Sequence, residues 1–520
     1  GRNPIWPTAV KEGIIAAHNM LGKEMIMTDF FGSKNTMNFV GIATMSLGDV
    51  EPKDESYVVE TKVEENNYKK IIHKDGKIYG AIIQGDLSYA GVLTQLIKEK
   101  IDVSKVTKDI FEIDYNKQQE KAIITSLENK INIITGGPGT GKTTIIKGIV
   151  ELYKQINKLT NEGLFKDAIL LAPTGRAARR ITEATNFRAI TIHKFLKWDK
   201  ETDTFQINKY NKSDVKLVII DESSMIDMFL FNSLLEGLTD DVKLILVGDY
   251  NQLPSVLPGD ILKDLIDSDV IPVVKLNELY RQKEDSYIIN LANDIKEGII
   301  KNDFTNKRSD YNFIEAKKEQ IELVIKELCK IGLDKGYNYH QLQVLVPMYR
   351  GVNGIDNLNN KLQEIFNPKS DNKDEFEFND VIFREGDKVL QTKNLNDLEI
   401  SNGDIGVIDS ITKTNNNVKA IINFDGIIVE FNKKNFEDLK LGYAISIHKA
   451  QGSEFDVVIM PMDTSFKRML YRKLIYTGIT RAKKSLTLVG EKEAFIYGAS
   501  KLMEERNTLL KEMLINSITF

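Results

Sequence analysis

The chain has 520 residues and a formal net charge of −5, with 42% hydrophobic and 28% charged residues. At about 150 residues per domain the length corresponds to roughly three to four domains, and the composition excludes wholesale disorder. The slightly acidic balance excludes a protein that coats nucleic acid by bulk positive charge, so any nucleic-acid site has to be a local groove.

Apolar runs such as Leu217 to Ile220 and Leu244 to Val247 are strand-sized, far short of the roughly 20 residues a bilayer demands, and no membrane association is expected. Gly1 is not followed by a charged and then apolar leader, and the lone Cys329 cannot form an intrachain disulfide. A reducing, cytoplasmic setting is therefore expected. One cysteine and five scattered histidines exclude a Cys-based zinc or iron–sulfur centre. The only metal expected is one that arrives with a nucleotide.

A compositional change near residue 113 marks the first boundary. From about 131 onward, short β-branched runs alternate with helical stretches, at 131–135, 168–173, 215–220, 242–247 and 270–276, then at 342–347, 456–460 and 485–489. That alternation predicts parallel sheets with crossover helices. A mostly polar, helical region at 281–340 separates the two clusters, which predicts two α/β domains, 114–278 and 279–520. Residues 196–214 predict a β-hairpin inserted in the first, with polar turn residues between Trp198 and Phe205. Residues 384–440, punctuated by Asn402-Gly403 and Asp425-Gly426, predict a small all-β insertion in the second.

The run Ile131 to Thr135 leads into Gly136-Gly137-Pro138-Gly139-Thr140-Gly141-Lys142-Thr143-Thr144 and then a helical pattern. This is GxxxxGK[ST] in its strand–loop–helix setting. The loop's backbone N–H groups and the helix N-terminus suit phosphate oxygens, Lys142 suits the β/γ-phosphates, and Thr143 suits Mg²⁺. A second strand ends in Asp221-Glu222, at the sheet edge where ligands of open α/β sheets bind. Asp221 is the candidate Mg²⁺ ligand, and Glu222 the group that orients and deprotonates the attacking water. A third strand ends in Gly248-Asp249-Tyr250-Asn251-Gln252, with Gln252 as candidate γ-phosphate sensor. Arg281 and Arg481, in the second cluster, are candidates to neutralise transition-state charge. Asn211-Lys212-Ser213-Asp214 matches the guanine-reading NKxD pattern, but it precedes the Asp221 strand instead of following it, and reads as chance.

With these residues in place, 114–520 resembles the superfamily 1B DNA helicases of the RecD-like family. Asn116 and Gln119 resemble its adenine-reading motif, and Gly136 to Thr143 its motif I. Pro173, Thr174 and the following Gly175-Arg176-Ala177-Ala178-Arg179-Arg180 resemble motif Ia. Asp221 to Met225 resembles motif II, with Ser223 where the family more usually has Ala. Gly248 to Val256 resembles motif III, Leu279 to Gln282 motif IV, Ile447 to Glu454 motif V and Tyr476 to Lys484 motif VI.

The resemblance implies two RecA-like P-loop motor domains, with 196–214 as the pin that splits duplex and 384–440 as an SH3-like insertion. It implies ATP and Mg²⁺ as cofactors, with Lys142, Glu222, Gln252, Arg281 and Arg481 catalytic. Gln119, Gly136, Gly137, Pro138, Gly139, Thr140, Gly141, Thr143, Thr144 and Glu454 would contact nucleotide, and Pro173, Thr174, His193 and His448 the DNA strand. It further implies a monomeric motor moving 5′→3′ on single-stranded DNA and at single-strand/duplex junctions, working with DNA-repair proteins. Two other readings stand beside this one. They are a DNA-stimulated ATPase that translocates without separating strands, and an inactive flavoprotein fragment.

The flavoprotein reading comes from residues 1–113. Arg2 to Val10, Met37 to Gly41 and Lys74 to Ala81 resemble the C-terminal part of FAD-dependent NAD(P)H oxidoreductases of the nitrite and rubredoxin reductase type, which implies an α+β domain. No GxGxxG follows a strand there, so a redox activity is not expected of it. A fusion, a gene-model error and a recruited docking domain would all leave this pattern.

Overall fold

The computed structural model describes residues 15–17, 19–21, 35–39, 42–64, 67–85, 87, 90–100, 115–199, 202, 204–277, 286–395, 398, 400–414 and 417–518. Arg281, and residues 2–10 of the oxidoreductase resemblance, lie outside them.

The N-terminal unit is an antiparallel sheet ordered Asn35–Phe39, Ile42–Gly48, Lys77–Gln84, Asn67–Lys74, Val58–Glu64, with the helix Ala90–Glu99 packed on it. Asp75 and Gly76 both take positive φ, which a two-residue hairpin turn requires. Met45, Leu47, Ile78, Ala81, Ile83, Leu96 and Ile97 form its core, and Ile156 from the next unit packs against it. The expected α+β layout is present.

The first α/β lobe is a six-stranded, wholly parallel sheet in the order Val273–Leu276, Ile131–Gly136, Lys243–Gly248, Leu217–Ile220, Ala168–Ala172, Ala189–Thr191. All four residues of Leu217–Ile220 are buried, as a strand covered by helices on both faces must be. Separate apolar clusters fill the two sides, one around Ile145, Ile149 and Ile181, the other around Ile192, Leu234 and Leu262.

The second lobe is a parallel sheet ordered Tyr311–Glu315, Ala482–Gly490, Phe455–Met462, Leu342–Val346, Ala444–Ser446. Two of its strands depart from expectation. Tyr311–Glu315 falls inside the stretch read as polar and helical, and Ala444–Ser446 is only three residues long. The small β insertion is a five-stranded antiparallel sheet drawn from Lys388–Gln391, Ile405–Thr414, Asn417–Phe424, Ile427–Asn432 and Leu439–Leu441. It shares one contiguous core with the second lobe, through residues such as Phe383, Leu390, Phe431 and Tyr443.

The end of the chain returns to the first lobe. Leu510 and Leu514 of the helix Leu510–Ile518 pack into that lobe's core beside the helix Ile261–Asp267. Arg506 donates to the carbonyls of Ser255, Leu257 and Gly259 at 2.6–2.7 Å. The expected assignment of all of 279–520 to the second lobe therefore breaks down near residue 502.

Candidate nucleotide and strand site

The strand Ile131–Gly136 delivers the glycine loop to the sheet's C-terminal edge, and the helix Lys142–Ile156 carries the chain away. Gly141 begins that helix at φ +81°, where a Cβ would lie 2.3 Å from Gln119 Nε2, so both backbone and space demand glycine there. Lys142 Nζ donates to the carbonyls of Gly136 and Gly137 at 2.7 and 2.9 Å, which holds its ammonium within the loop. Gln119 lies beneath the loop. Its Oε1 accepts from Asn116 N as part of a capping box, and its Nε2 donates 3.0 Å to Thr140 O. With both ends of a 1% exposed amide so engaged, Gln119 braces the loop.

Asp221 and Glu222 stand at the end of Leu217–Ile220, and both are buried. Glu222 takes φ +51°, and its N–H donates 2.8 Å to Asp221 Oδ1. Burial and the Glu222 charge push the Asp221 carboxyl up. For Glu222 burial works the same way, but the positive charges of Arg180, Arg481 and Lys142 outweigh it and hold that carboxyl below its ordinary value.

Among the described residues no group of three or more His, Cys, Asp or Glu side chains could by itself hold a metal ion. A hydroxyl from Thr143, one carboxylate from Asp221 and phosphate oxygens are nevertheless a donor set that fits Mg²⁺, which keeps waters and rarely uses an all-protein cage. Gln252 is 4% exposed, its Nε2 reaches Asp249 Oδ2 at 3.4 Å, and its Oε1 has no partner. An unspent acceptor is what orienting a water requires.

The second lobe meets this edge across a cleft of about 310 Å³, lined by Pro138 and Gly139 on one side and Glu454, Thr480, Ala482 and Lys483 on the other. Three hydrogen bonds tie motif III to the far lobe. Tyr476 Oη donates 2.6 Å to Asp249 Oδ2, Leu253 N donates 2.9 Å to Thr477 Oγ1, and Gln451 Nε2 donates 2.8 Å to Leu253 O. Arg481 is 2% exposed, and its guanidinium donates to Thr477 O, Ser453 O and Thr480 Oγ1, all at 3.1 Å. It is held by its own lobe, close enough for its charge to act on Glu222.

Sequence reasoning quoted Arg180 within a motif but gave it no role. Its Nη2 donates 2.9 Å to Glu222 Oε1, and its Nη1 donates 3.2 Å to Glu454 Oε1. Burial opposes its charge, but Glu222, Asp221 and Glu454 more than compensate and raise its pKa. The i, i+3, i+4 spacing of Arg176, Arg179 and Arg180 was the available signal, since it places all three on one helix face. Arg179 bonds Asp404 at 2.7 Å and Phe424 O at 3.2 Å in the small β insertion.

Of the strand-contact candidates, Thr174 caps the helix Gly175–Thr185 by accepting from Ala177 N at 3.3 Å, and Pro173 precedes it. His193 packs against the hairpin rings of Trp198 and Phe205, at centroid separations of 6.4 and 5.9 Å. Burial lowers the pKa of His193, and burial together with Lys449 lowers that of His448, so both are neutral near pH 7. His448 lines a groove of about 640 Å³ with Pro254, Val256, Tyr349, Arg350 and Arg506. Positive charge in that groove comes from the two arginines and Lys449, and Arg350 and Arg506 were not singled out from sequence. The hairpin itself is short, pairing Trp198–Asp199 with Thr204–Phe205.

Fold and site together define a P-loop nucleotide-binding protein in which two RecA-like lobes face one cleft. Family models match in chain order: an AAA domain over 119–258, the SH3 domain of ATP-dependent RecD-like DNA helicases over 358–424, and the UvrD-like helicase C-terminal domain over 441–489. Over these residues the chain is similar to RecD-like helicases. The rubredoxin NAD+ reductase C-terminal domain matches 34–101.

The ATP-dependent RecD2 DNA helicase of Deinococcus radiodurans is 33% identical over 400 residues, covering 76% of this chain and 52% of that protein. The chain thus spans about half the length of that relative. The RecBCD enzyme subunit RecD of Buchnera aphidicola subsp. Schizaphis graminum is 28% identical over 461 residues, covering 75% of each. Among solved structures, the Pif1 helicase from Candida albicans matches with a TM-score of 0.46 and 19% identity, over 78% of this chain and 99% of that one. No helix among the described residues is long and apolar enough to cross a membrane.

Proposed function

We propose that the chain is an ATP-dependent DNA helicase that moves 5′→3′ on single-stranded DNA and separates duplex ahead of it. The observation that carries this reading is the cleft itself. Pro138 and Gly139 of the phosphate loop face Glu454 and Thr480 of the other lobe, Arg180 links Glu222 to Glu454, and motif III of the first lobe is hydrogen-bonded to the second. The similarity to the RecD2 DNA helicase and to the RecBCD subunit RecD adds weight to it.

In this reading the loop N–H groups and Lys142 bind the triphosphate, and Glu222 takes a proton from the water that Gln252 Oε1 orients. Mg²⁺ held by Thr143 and Asp221 would neutralise charge on the β- and γ-phosphate oxygens. Arg481, held by its own lobe, would approach the γ-phosphate as the lobes move together. Tyr476, Thr477 and Gln451 then transmit that movement to motif III. Thr174, Pro173, His193 and His448 touch the strand through its backbone, with Arg350, Lys449 and Arg506 supplying a salt-sensitive attraction.

Translocation without strand separation is the second reading, and the two-residue strands of the hairpin favour it. Forked duplexes with a 5′ or a 3′ tail, given ATP and Mg²⁺, decide between the two. Unwinding from the 5′ tail alone supports the helicase. Strand-stimulated hydrolysis with no unwinding on either substrate supports the translocase.

For the N-terminal unit, the match over 34–101 and the α+β sheet support descent from an oxidoreductase C-terminal domain, retained as a catalytically idle appendage docked through Ile156. Flavin absorbance in the purified protein would count against idleness.

A further inference from the structure

We propose that Arg180 is a positioning residue that restrains Glu222 until a bound strand moves the helix Gly175–Thr185, and so makes ATP hydrolysis depend on DNA. The proposal rests on the reading of Glu222 as the general base and of Thr174 as a strand contact.

The geometry is specific. Arg180 joins the first lobe's Glu222 at 2.9 Å to the second lobe's Glu454 at 3.2 Å, and stands 3.9 Å from Asp221. Glu222 Oε1, held by one N–H of a guanidinium whose other nitrogen is held by Glu454, is fixed toward that partner and is not free to turn to an attacking water. Lys483 shares Glu454 at 3.6 Å, which ties the far end of the bridge to the segment that follows Arg481.

The same helix begins at Thr174, against which Gly452 of motif V packs so closely that a Cβ there would lie 3.2 Å from Thr174 Oγ1 and from Ala177 Cβ. Its other two arginines are also anchored across the lobe boundary. Arg179 bonds Asp404 and Phe424 O, and Arg176 lies 5.5 Å from the Phe455 ring centroid. A phosphate seated at Thr174 has to displace or tilt a helix so held. Any such shift acts on the Arg180 fork, about one and a half turns along. The strand site and the general base are thus two ends of one rigid element.

The test measures kcat and KM for ATP with and without a single-stranded oligothymidylate, using wild type, Arg180→Ala, Arg180→Lys, Glu454→Gln and Glu222→Gln. Arg180→Ala is expected to raise the strand-free kcat at least about fivefold, the low end of allosteric coupling. Its strand-bound kcat and its KM should change by less than about twofold, so that stimulation by DNA falls. Arg180→Lys should recover part of the stimulation, because an ammonium keeps the charge but loses the fork. Glu454→Gln should shift the strand-free rate in the same direction by a smaller factor, and it keeps the proposal testable where Arg180→Ala fails to fold.

Equal loss of turnover with and without the strand in the Arg180 variants, or an unchanged stimulation ratio in both Arg180→Ala and Glu454→Gln, overturns the proposal. Turnover retained by Glu222→Gln overturns the general-base reading instead, whatever Arg180 does.

Discussion

The Tyr476 hydroxyl donates a 2.6 Å hydrogen bond to Asp249 Oδ2 across the boundary between the lobes, and the same oxygen stands 3.1 Å from where a Gly137 Cβ would be. One phenol therefore touches the phosphate loop, motif III and its own helix, Arg472–Ile479. Tyr476→Phe leaves the buried Asp249 carboxylate with Asn251 N and Gln252 Nε2 as partners, a loss of about 1.5–3 kcal/mol for a bond to a charged group. The expected result is a melting temperature lower by a few degrees and turnover down about tenfold, with ATP binding largely kept. Calorimetry and steady-state hydrolysis would check it.

Lys142→Ala should abolish hydrolysis while leaving the circular dichroism spectrum and the core intact, since among the described residues the ammonium hydrogen-bonds to the carbonyls of Gly136 and Gly137 and not to the core. Gly141→Ala should do the same for a different reason. Its methyl group would meet Gln119 Nε2 at a backbone φ of +81°, so the loop itself must distort. DNA-stimulated hydrolysis persisting in Lys142→Ala would remove the site assignment.

The rings of Trp198 and Phe205 meet edge to face at 4.7 Å, and they are directly opposed across the hairpin. Such a pair contributes about 0.5–1.5 kcal/mol beyond its burial, enough to matter in a hairpin this short. Phe205→Ala is expected to lower the rate of forked-duplex unwinding about tenfold or more while strand-stimulated hydrolysis stays within about twofold. A parallel fall in both would mean that the hairpin shapes the motor instead of the junction.

Lys388 opens a strand of the small β insertion with its side chain fully buried, donating to Tyr339 O at 2.6 Å, Gln343 Oε1 at 2.8 Å and Leu342 O at 3.4 Å. Burial, with the charge of Arg176 beside it and against the weaker pull of Asp425 and Cys329, lowers its pKa from 10.5 to about 7. Between those two values the unfolded chain holds a proton that the folded one lacks, so stability rises with pH across the window and levels off above it. Below pH 7 both states are protonated and the cost of the buried charge is fully present. Wild type should therefore gain on Lys388→Met by up to about 1.4 kcal/mol per pH unit from pH 7 to 10. Urea midpoints at pH 7, 8 and 9 would measure the trend, and parallel midpoints would contradict it.

Much of this was legible in the sequence because the signals were local. The five long strands of the first lobe and three of the second are runs of β-branched residues, and the phosphate loop is a contiguous word set between a strand and a helix. The edge strands Ala189–Thr191 and Ala444–Ser446 were not legible, since three residues carry no periodicity and their place is set by the neighbouring strand. Tyr311–Glu315 alternates Tyr, Phe and Glu with Asn and Ile, and it was submerged in polar surroundings. Arg180 shows the same limit at the level of the site. Its spacing announces a helix face, but only the fold brings Glu222 and Glu454, 232 positions apart in the chain, to the two sides of one guanidinium.

The return of Leu510–Ile518 to the first lobe means that this lobe holds the second at both ends, like a book whose cover is fastened on two edges. The span from Lys501, bonded to Tyr497 and Arg472 of the second lobe, to Arg506 on the first is only a few residues, each adding at most about 3.6 Å. Wide gaping between the halves is thereby opposed while the fastening holds, and the swing available in the proposed ATP cycle becomes a property of the helix Leu510–Ile518 as much as of the cleft.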